Sequence, residues 1–585
     1  MVQRSILALV LLLSFSFLIA QSMDAEADSL SLSNNTPELT DEIILSDSLK
    51  VEEYIVPRSE VEDWIAKDRE ARSLNSLMLH APNPTLNSLD IYRAAYHAVG
   101  LNNRHLELSR QGFGQWPSLW SDALLVQYYN TFYAQSSRSR TLQFSENRYP
   151  YKVMVSDIQA GLGDYEYNFA RAGFKKDELL GFPGLYYSLD LLVQTGVWTG
   201  LDHDQSSLRN YLSWDYKKLK LELELADWAQ DNSSQDLLPA YWQANNVSID
   251  HRLRQFYAAI HSPILEFSII KVSEKAKAGS LDQSNDILQW RLFKDHHNGP
   301  HTISLYHERY DMDLDFTPQV NTGEVDYEYK TGINYSYEGR RFEGYGRFDT
   351  YFSGNPQMEG RLAWKNDWLK LGAYGFMCTQ NTSLSLLRDI FNPGLWLDSG
   401  HQVIKTNYAA NLILEPSARL KLQVLGGMKS IQKGGSYNGG VYRKTQSFPY
   451  ADASLDWTHD LGFADLTLRQ NFSWQDCPEA TLAYQQITEV PDLRYQTHLE
   501  LKRELPKNNA ILGGLAVYGH SDYYLSIMPP VKILGSAILD LWAGVQISKL
   551  FDFTVSFKNA LDTDIYGTYP IPQSIHANLH WYYLN

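Results

Sequence analysis

Val325-Asp326-Tyr327-Glu328-Tyr329-Lys330-Thr331-Gly332-Ile333-Asn334-Tyr335-Ser336-Tyr337-Glu338 alternates residue by residue. Side chains of an extended strand point to opposite faces with a period of two. Val325, Tyr327, Tyr329, Thr331, Ile333, Tyr335 and Tyr337 therefore share one wall, and Asp326, Glu328, Lys330, Gly332, Asn334, Ser336 and Glu338 share the other. Leu219, Leu221, Leu223 and Leu225, separated by Lys220, Glu222 and Glu224, repeat the pattern. Comparable segments run from about Val153 to Asn585. A soluble half-buried sheet shows the same alternation, so the connections have to decide. Tight turns are read near Lys217, His261 to Pro263, Gly339, Asn366, Pro416, Asp460, Lys507 and Lys549. Between them lie loops rich in Gly, Asn, Ser and Pro: Asp227 to Asn245, Thr379 to Gln402, Ser430 to Thr445, Gln475 to Pro491 and Asn559 to Gln573. Two strands of about 9–11 residues, a short turn and a long loop make a unit of roughly 45 residues, the spacing of an outer-membrane barrel. The expected fold is all-β, a transmembrane antiparallel β-barrel over 149–585, with a soluble all-β array as the alternative.

The N-terminus reads as a cleaved export signal over 1–20: Arg4 is the positive start, Ile6 to Ala20 the apolar run, and Ala20–Gln21 the cleavage point. No later stretch is long and apolar enough for a membrane helix, so insertion has to be by strands. A mean hydropathy of −0.35 suits a barrel with polar lumen and loops. The aromatic share is 13%, and Tyr and Trp near strand ends suit interfacial girdles, core packing or carbohydrate stacking. The net charge of −17, without a basic stripe, argues against nucleic acid. Cys378 and Cys477 are far apart, lack metal-type spacing, and are free thiols or one bridge.

Residues 21–51 read as an acidic disordered segment. A small helical and irregular region over 52–148 follows, periplasmic or inserted in the lumen. Ser59 with Glu62 forms a capping box opening one helix, Ser88 to Gly100 is a second, and a third is placed around Leu124. The final long loop precedes the last strand, which then ends at the periplasmic side. The strand number is therefore even, 18–22 with 22 the best value.

The last strand places Ile575, Ala577, Leu579, Trp581 and Tyr583 outward and His576, Asn578, His580 and Tyr582 inward. Leu579, Trp581 and Tyr583 resemble the C-terminal signal that outer-membrane proteins present to the barrel-assembly machinery, although the chain ends Tyr583-Leu584-Asn585. Upstream, Asn559-Ala560-Leu561-Asp562 and Tyr569-Pro570-Ile571-Pro572 resemble the end of TonB-dependent receptor barrels and of related porins, with Gln573 and Ser574 in place of the usual Gly-Arg pair. This implies the outer membrane of a Gram-negative-type bacterium. A receptor would also carry an N-terminal plug, and no plug-like succession of short strands is read between the signal and the barrel.

Charged residues facing the lumen are what a channel uses to select solutes. The candidates are Arg494, His498, Glu500 and Lys502 on one strand, with Arg469, Glu343 and Arg347 taken to lie on neighbouring strands. His296, His297 and His301 around an Asn-Gly-Pro turn, and Asp311, Asp313 and Asp315, read as polar connections and a solvated strand end rather than ligand sets; no metal site and no cofactor are expected. G-x-S-x-G, H-E-x-x-H and P-loop motifs are lacking, so an enzyme is not expected. The leading expectation is a porin-like channel passing small hydrophilic solutes by diffusion. The alternatives are a receptor-like nutrient transporter, the one case that brings TonB as a partner, and a non-transport surface or adhesion barrel.

Overall fold

The computed structural model describes residues 153–198, 201–234, 248–278, 281–317, 327–351, 356–381, 402–432, 445–476, 492–525, 531–562 and 573–584. It also describes Arg148 and short pieces at 107–110, 113–114, 132–136, 141–146, 436–437, 440–441, 480–482 and 485–487. The barrel begins with β1 (Val155–Gly163), β2 (Asn168–Lys176), β3 (Leu185–Trp198), β4 (Leu201–Tyr216), β5 (Leu219–Ser234) and β6 (Ser248–His261). It continues with β7 (Glu266–Ala278), β8 (Leu281–Asn298), β9 (His301–Thr317), β10 (Tyr327–Glu338), β11 (Phe342–Tyr351) and β12 (Pro356–Lys365). Next come β13 (Leu369–Asn381), β14 (Gln402–Ser417), β15 (Leu420–Gln432), β16 (Thr445–Asp460) and β17 (Asp465–Gln475). The ring ends with β18 (Leu493–Leu505), β19 (Asn509–His520), β20 (Ser536–Ile547), β21 (Phe551–Lys558) and β22 (Ser574–Leu584).

These strands close into a single antiparallel 22-stranded barrel, the expected even number. β22 completes the ring against β1, with Leu579 opposite Ala160 and Tyr583 opposite Ser156. Closure is compulsory in lipid, where an open edge would leave N–H and C=O groups with nothing to bond. No helix among the described residues is long and apolar enough to cross a membrane.

Exposure fixes the orientation. Leu225 is 57% exposed while Glu224, next to it, is 1% exposed. The apolar side faces away from the barrel, where lipid receives it, and the charged side faces in. A soluble sheet would be built the other way round. β22 obeys the same rule, with Ile575, Trp581 and Tyr583 exposed and His576 and Tyr582 buried. Several tight turns have left-handed residues, among them Lys217 (φ 55), Lys507 (φ 64) and Lys549 (φ 56), the backbone state that short hairpin connections need. At Pro416 the turn falls slightly later: the strand runs to Ser417 with a register irregularity after Leu414. A residue without an N–H is tolerated at such a break.

Two expectations change. Asp227 to Ser234 continues β5 instead of opening a loop, and Asp227 there pairs with Arg252 (2.5 Å) and Arg254 (3.4 Å) of β6. Ladder hydrogen bonds do not require apolar side chains, so a polar run can remain strand beyond the bilayer. Ahead of the barrel, four short strands form a mixed sheet, with 107–110 parallel to 141–146 and flanked by 113–114 and 132–136. The reading of that stretch as free of short strands is thereby corrected. The helices read at Ser59, Ser88 and Leu124 lie outside the described residues. Arg148 fastens this lead-in to the periplasmic rim by pairing with Asp177 (2.7 Å) and Asp215 and by lying over the Tyr186 ring.

Candidate functional site

The candidate site is the inner wall. From β2 to β13 it carries a belt of ion pairs built from the charged face of the alternating strands. Arg171 on β2 grips both carboxylate oxygens of Asp190 on β3. Arg209 on β4 meets Glu224 on β5 at 2.7 Å, and Gln255 on β6 donates to the other oxygen of Glu224. Glu222 accepts hydrogen bonds from Tyr211 and Tyr257 and faces His261 at 2.8 Å. Further round, Arg291 of β8 meets Glu308 of β9 at 3.2 Å. Lys330 of β10 sits between Glu308 (3.9 Å) and Asp349 (3.6 Å), and Arg347 of β11 closes on Asp349 at 2.6 Å. The Tyr306 ring has three of these cations within cation–π range: Arg291 at 5.0 Å, Lys330 at 5.9 Å and Arg347 at 5.9 Å. Gly332 leaves the space that this ring occupies, since a Cβ there would overlap Tyr306 and Asp349. Members of this chain are almost wholly buried. Charges taken out of water are tolerated only when paired.

Between the two ion-pair groups, β6, β7 and β8 turn apolar residues inward. Leu253, Ile270, Val272 and Ile287 all face the barrel axis, and all are buried, Ile287 to 1% exposure. Burying a side chain of this kind is worth about 1.5–3 kcal/mol relative to leaving it in water.

The expected lumen residues fall into two separated groups. Glu343 and Arg347 lie on β11, where Glu343 is held by Lys365 (2.6 Å) and Lys370 (2.5 Å). Arg469 lies on β17, and His498, Glu500 and Lys502 lie on β18, all directed inward by the register that sets Arg469 opposite His498. Arg494 shares this register; its side chain lies outside the described residues. β17 with Arg469 does neighbour β18. β11, however, is six places round the ring from β17 (β12, β13, β14, β15, β16, β17), so Glu343 and Arg347 are not on neighbouring strands, which corrects that part of the sequence reading. The wall around β17 to β20 is different in kind. Arg469 is 3.7 Å from Asp456 and Lys502 is 3.4 Å from Glu504, both loose pairs. His498 stacks with Trp542 of β20 at 5.9 Å and 18°.

Arg209, Arg291, Glu308, Lys330 and Asp349 were not among the sequence candidates. Alternation marks Lys330 and Glu224 as inward, but which charge meets which across a ladder depends on register. His297 bonds Thr302 on the inner side and His301 bonds Tyr335 on the outer side, so the histidine cluster is split between faces. Among the described residues no three His, Cys, Asp or Glu side chains are grouped as a metal site requires.

No protein-family model matches the chain, and no curated protein matches it. Solved structures do. The FrpB iron transporter from Neisseria meningitidis (F5-1 variant) superposes with a TM-score of 0.63 at 8% identity, covering 82% of this chain and 93% of that one. A mutant of the ferric enterobactin receptor PfeA from Pseudomonas aeruginosa gives 0.61 at 10% identity, covering 86% and 97%. The siderophore receptor PirA from Acinetobacter baumannii gives 0.60 at 9% identity, covering 82% and 91%. Identities this low speak for the fold. The chain is an outer-membrane-type β-barrel that resembles TonB-dependent receptor barrels, and its neighbours are transporters and receptors rather than enzymes.

Proposed function

We propose that this protein is a receptor-type outer-membrane transporter. Its lumen would be occupied by the chain that precedes β1, and passage of its ligand would be driven from the inner membrane through a TonB-like partner. The observation that carries this reading is the buried apolar patch of Leu253, Ile270, Val272 and Ile287 on the inner wall. In an open 22-stranded pore these side chains would be wet. The four-stranded sheet at 107–146 supports the same reading, as does the tether at Arg148, and the fold likeness is to an iron transporter and siderophore receptors. The diffusion channel expected from sequence has weaker support, because buried ion pairs and an apolar inner patch suit packing better than solvation. Residues 1–20 are taken as the export signal, and Leu579, Trp581 and Tyr583 as the strand read by the barrel-assembly machinery. The expected membrane is the outer one.

Conductance in a planar bilayer tests the proposal. The intact protein is expected to be silent, and a form lacking residues 21–146 to open large steps. Steady current through the intact protein would return the porin reading to the lead.

A further inference from the structure

Three inward residues of β17 and β18 have hydrogen-bond capacity that the fold does not use. Gln496 is 4% exposed, and neither of its amide atoms has a hydrogen-bond partner among the described residues. Two positions along on β18 the Nδ1 of His498 is likewise unpartnered there, and the Nε of Arg469, directly across the ladder on β17, has only Asp456 at 3.7 Å, beyond hydrogen-bond reach. A buried polar group without a partner is costly, so three together need a reason. Beside them lies a fixed aromatic surface. A Cβ on Gly514 would come within 2.7 Å of Trp542 Cζ2, so the indole of inward-facing Trp542 rests on glycine backbone. His498 continues that surface, stacked on Trp542.

The charges around this spot nearly cancel. Arg469 faces Asp456, Lys502 faces Glu504, Asp540 is paired with Lys558 at 2.9 Å, and Glu500 and Arg494 bring one charge of each sign to the inward register of β18. A strongly anionic or cationic ligand gains little from such a field. A neutral ligand with many hydroxyl groups gains more. Each hydroxyl donates and accepts, matching an amide, an imidazole, a guanidinium and a carboxylate, while the C–H face of a ring packs on the indole.

We infer that Arg469, Gln496, His498 and Trp542 form a lumenal site for a neutral carbohydrate. This rests on the receptor reading above and names a ligand class for it. The buried Gln496 amide is the floor of the site, and the half-buried Trp542 and His498 rings are its side.

The test is calorimetric titration of the intact, folded protein in detergent with linear hexasaccharides of glucose, xylose and mannose. At least one is expected to bind. Gln496→Leu and Trp542→Leu should each weaken it about tenfold, the effect of losing one well-placed contact, whereas Trp542→Phe should keep most of the affinity. Heat-modifiable gel mobility confirms that each variant is folded. If Trp542→Leu does not fold, the Gln496→Leu and Trp542→Phe results decide. Binding that is unchanged in Gln496→Leu overturns the site. Failure of all three sugars to bind overturns the ligand class. It leaves the receptor reading to the conductance experiment, which does not depend on any ligand.

Discussion

Across β8 to β11, Arg291, Glu308, Lys330, Asp349 and Arg347 form one connected chain around the Tyr306 ring. Across β17 to β21, the same alternation delivers Gln496, His498 and Trp542 with two loose ion pairs and one close one, Asp540 with Lys558 at 2.9 Å. Both regions are antiparallel ladders with apolar outer faces, so backbone and lipid do not distinguish them. The inward residue types do. In the first region charge is packed and neutralised strand to strand, which fixes side chains in place. Each region holds a buried glutamine whose amide atoms have no hydrogen-bond partner among the described residues, Gln289 on β8 and Gln496 on β18. In the second, however, it lies beside an aromatic surface and looser ion pairs. The first is suited to holding the barrel and its contents, the second to meeting a solute.

The largest expected difference comes from breaking the charged chain. Asp349→Leu leaves Lys330 and Arg347 without the carboxylate between them, in a buried setting. It should cost about 3–5 kcal/mol in reversible urea unfolding of the protein in lipid vesicles. Arg469→Met removes a half-exposed, 3.7 Å pair on the other wall and should cost under about 1 kcal/mol. Equal losses would mean that the two walls do not differ as described.

A smaller effect sharpens the same contrast with glycines. Gly332→Ala pushes a methyl into Tyr306 and Asp349 and should cost about 1–3 kcal/mol, read in the same unfolding experiment. Gly346, in the neighbouring outer face of β11, has open space around its missing Cβ. Gly346→Ala should change stability by about 0.5 kcal/mol at most, and in the stabilising direction. A large loss at Gly346 would show that the outer face is packed against something other than lipid.

Much of this architecture was legible in one dimension. Tyr327 to Glu338 and Leu219 to Leu225 assign faces by alternation alone, and the final long loop before the last strand makes the strand number even, as the 22-stranded ring is. Inward placement of Arg469, His498, Glu343 and Arg347 follows from the same rule. What alternation cannot supply is the position of a strand round the ring, and so Glu343 was placed near Arg469 when five strands lie between theirs. Nor does it supply register, on which the pairing of Arg209 with Glu224 or of Lys330 with Asp349 depends. Polarity misled at Asp227 to Ser234, because sheet above the bilayer is as polar as loop. It misled again at 107–146, where strands of two to six residues are too short to show a period.

Arg148 offers a third perturbation, at the edge of the comparison. Its pairs with Asp177 and Asp215 are part-exposed, so Arg148→Ala should weaken them by about 1 kcal/mol. Because they join the lead-in to the rim, the loss should appear as faster amide exchange over 141–146 with the barrel transition unmoved. A shift of the whole transition would place Arg148 within the cooperative unit of the barrel.

The smallest effect tests whether burial, rather than charge itself, separates the two walls. Lys421 on β15 meets Glu415 on β14 at 2.7 Å, a shorter contact than either approach of Lys330 to its carboxylates. Both side chains are about half exposed, however, at 53% and 50%. Water and salt screen such a pair, and holding two long side chains together offsets most of what remains. Lys421→Ala is therefore expected to change unfolding stability by less than about 0.5 kcal/mol, and by less still when salt is raised. Distance alone would predict the opposite order, with Lys421 costing more than a residue of the buried chain. If Lys421→Ala proved as damaging as Asp349→Leu, proximity would govern these pairs, and the contrast between a locked wall and an open one would lose its physical basis.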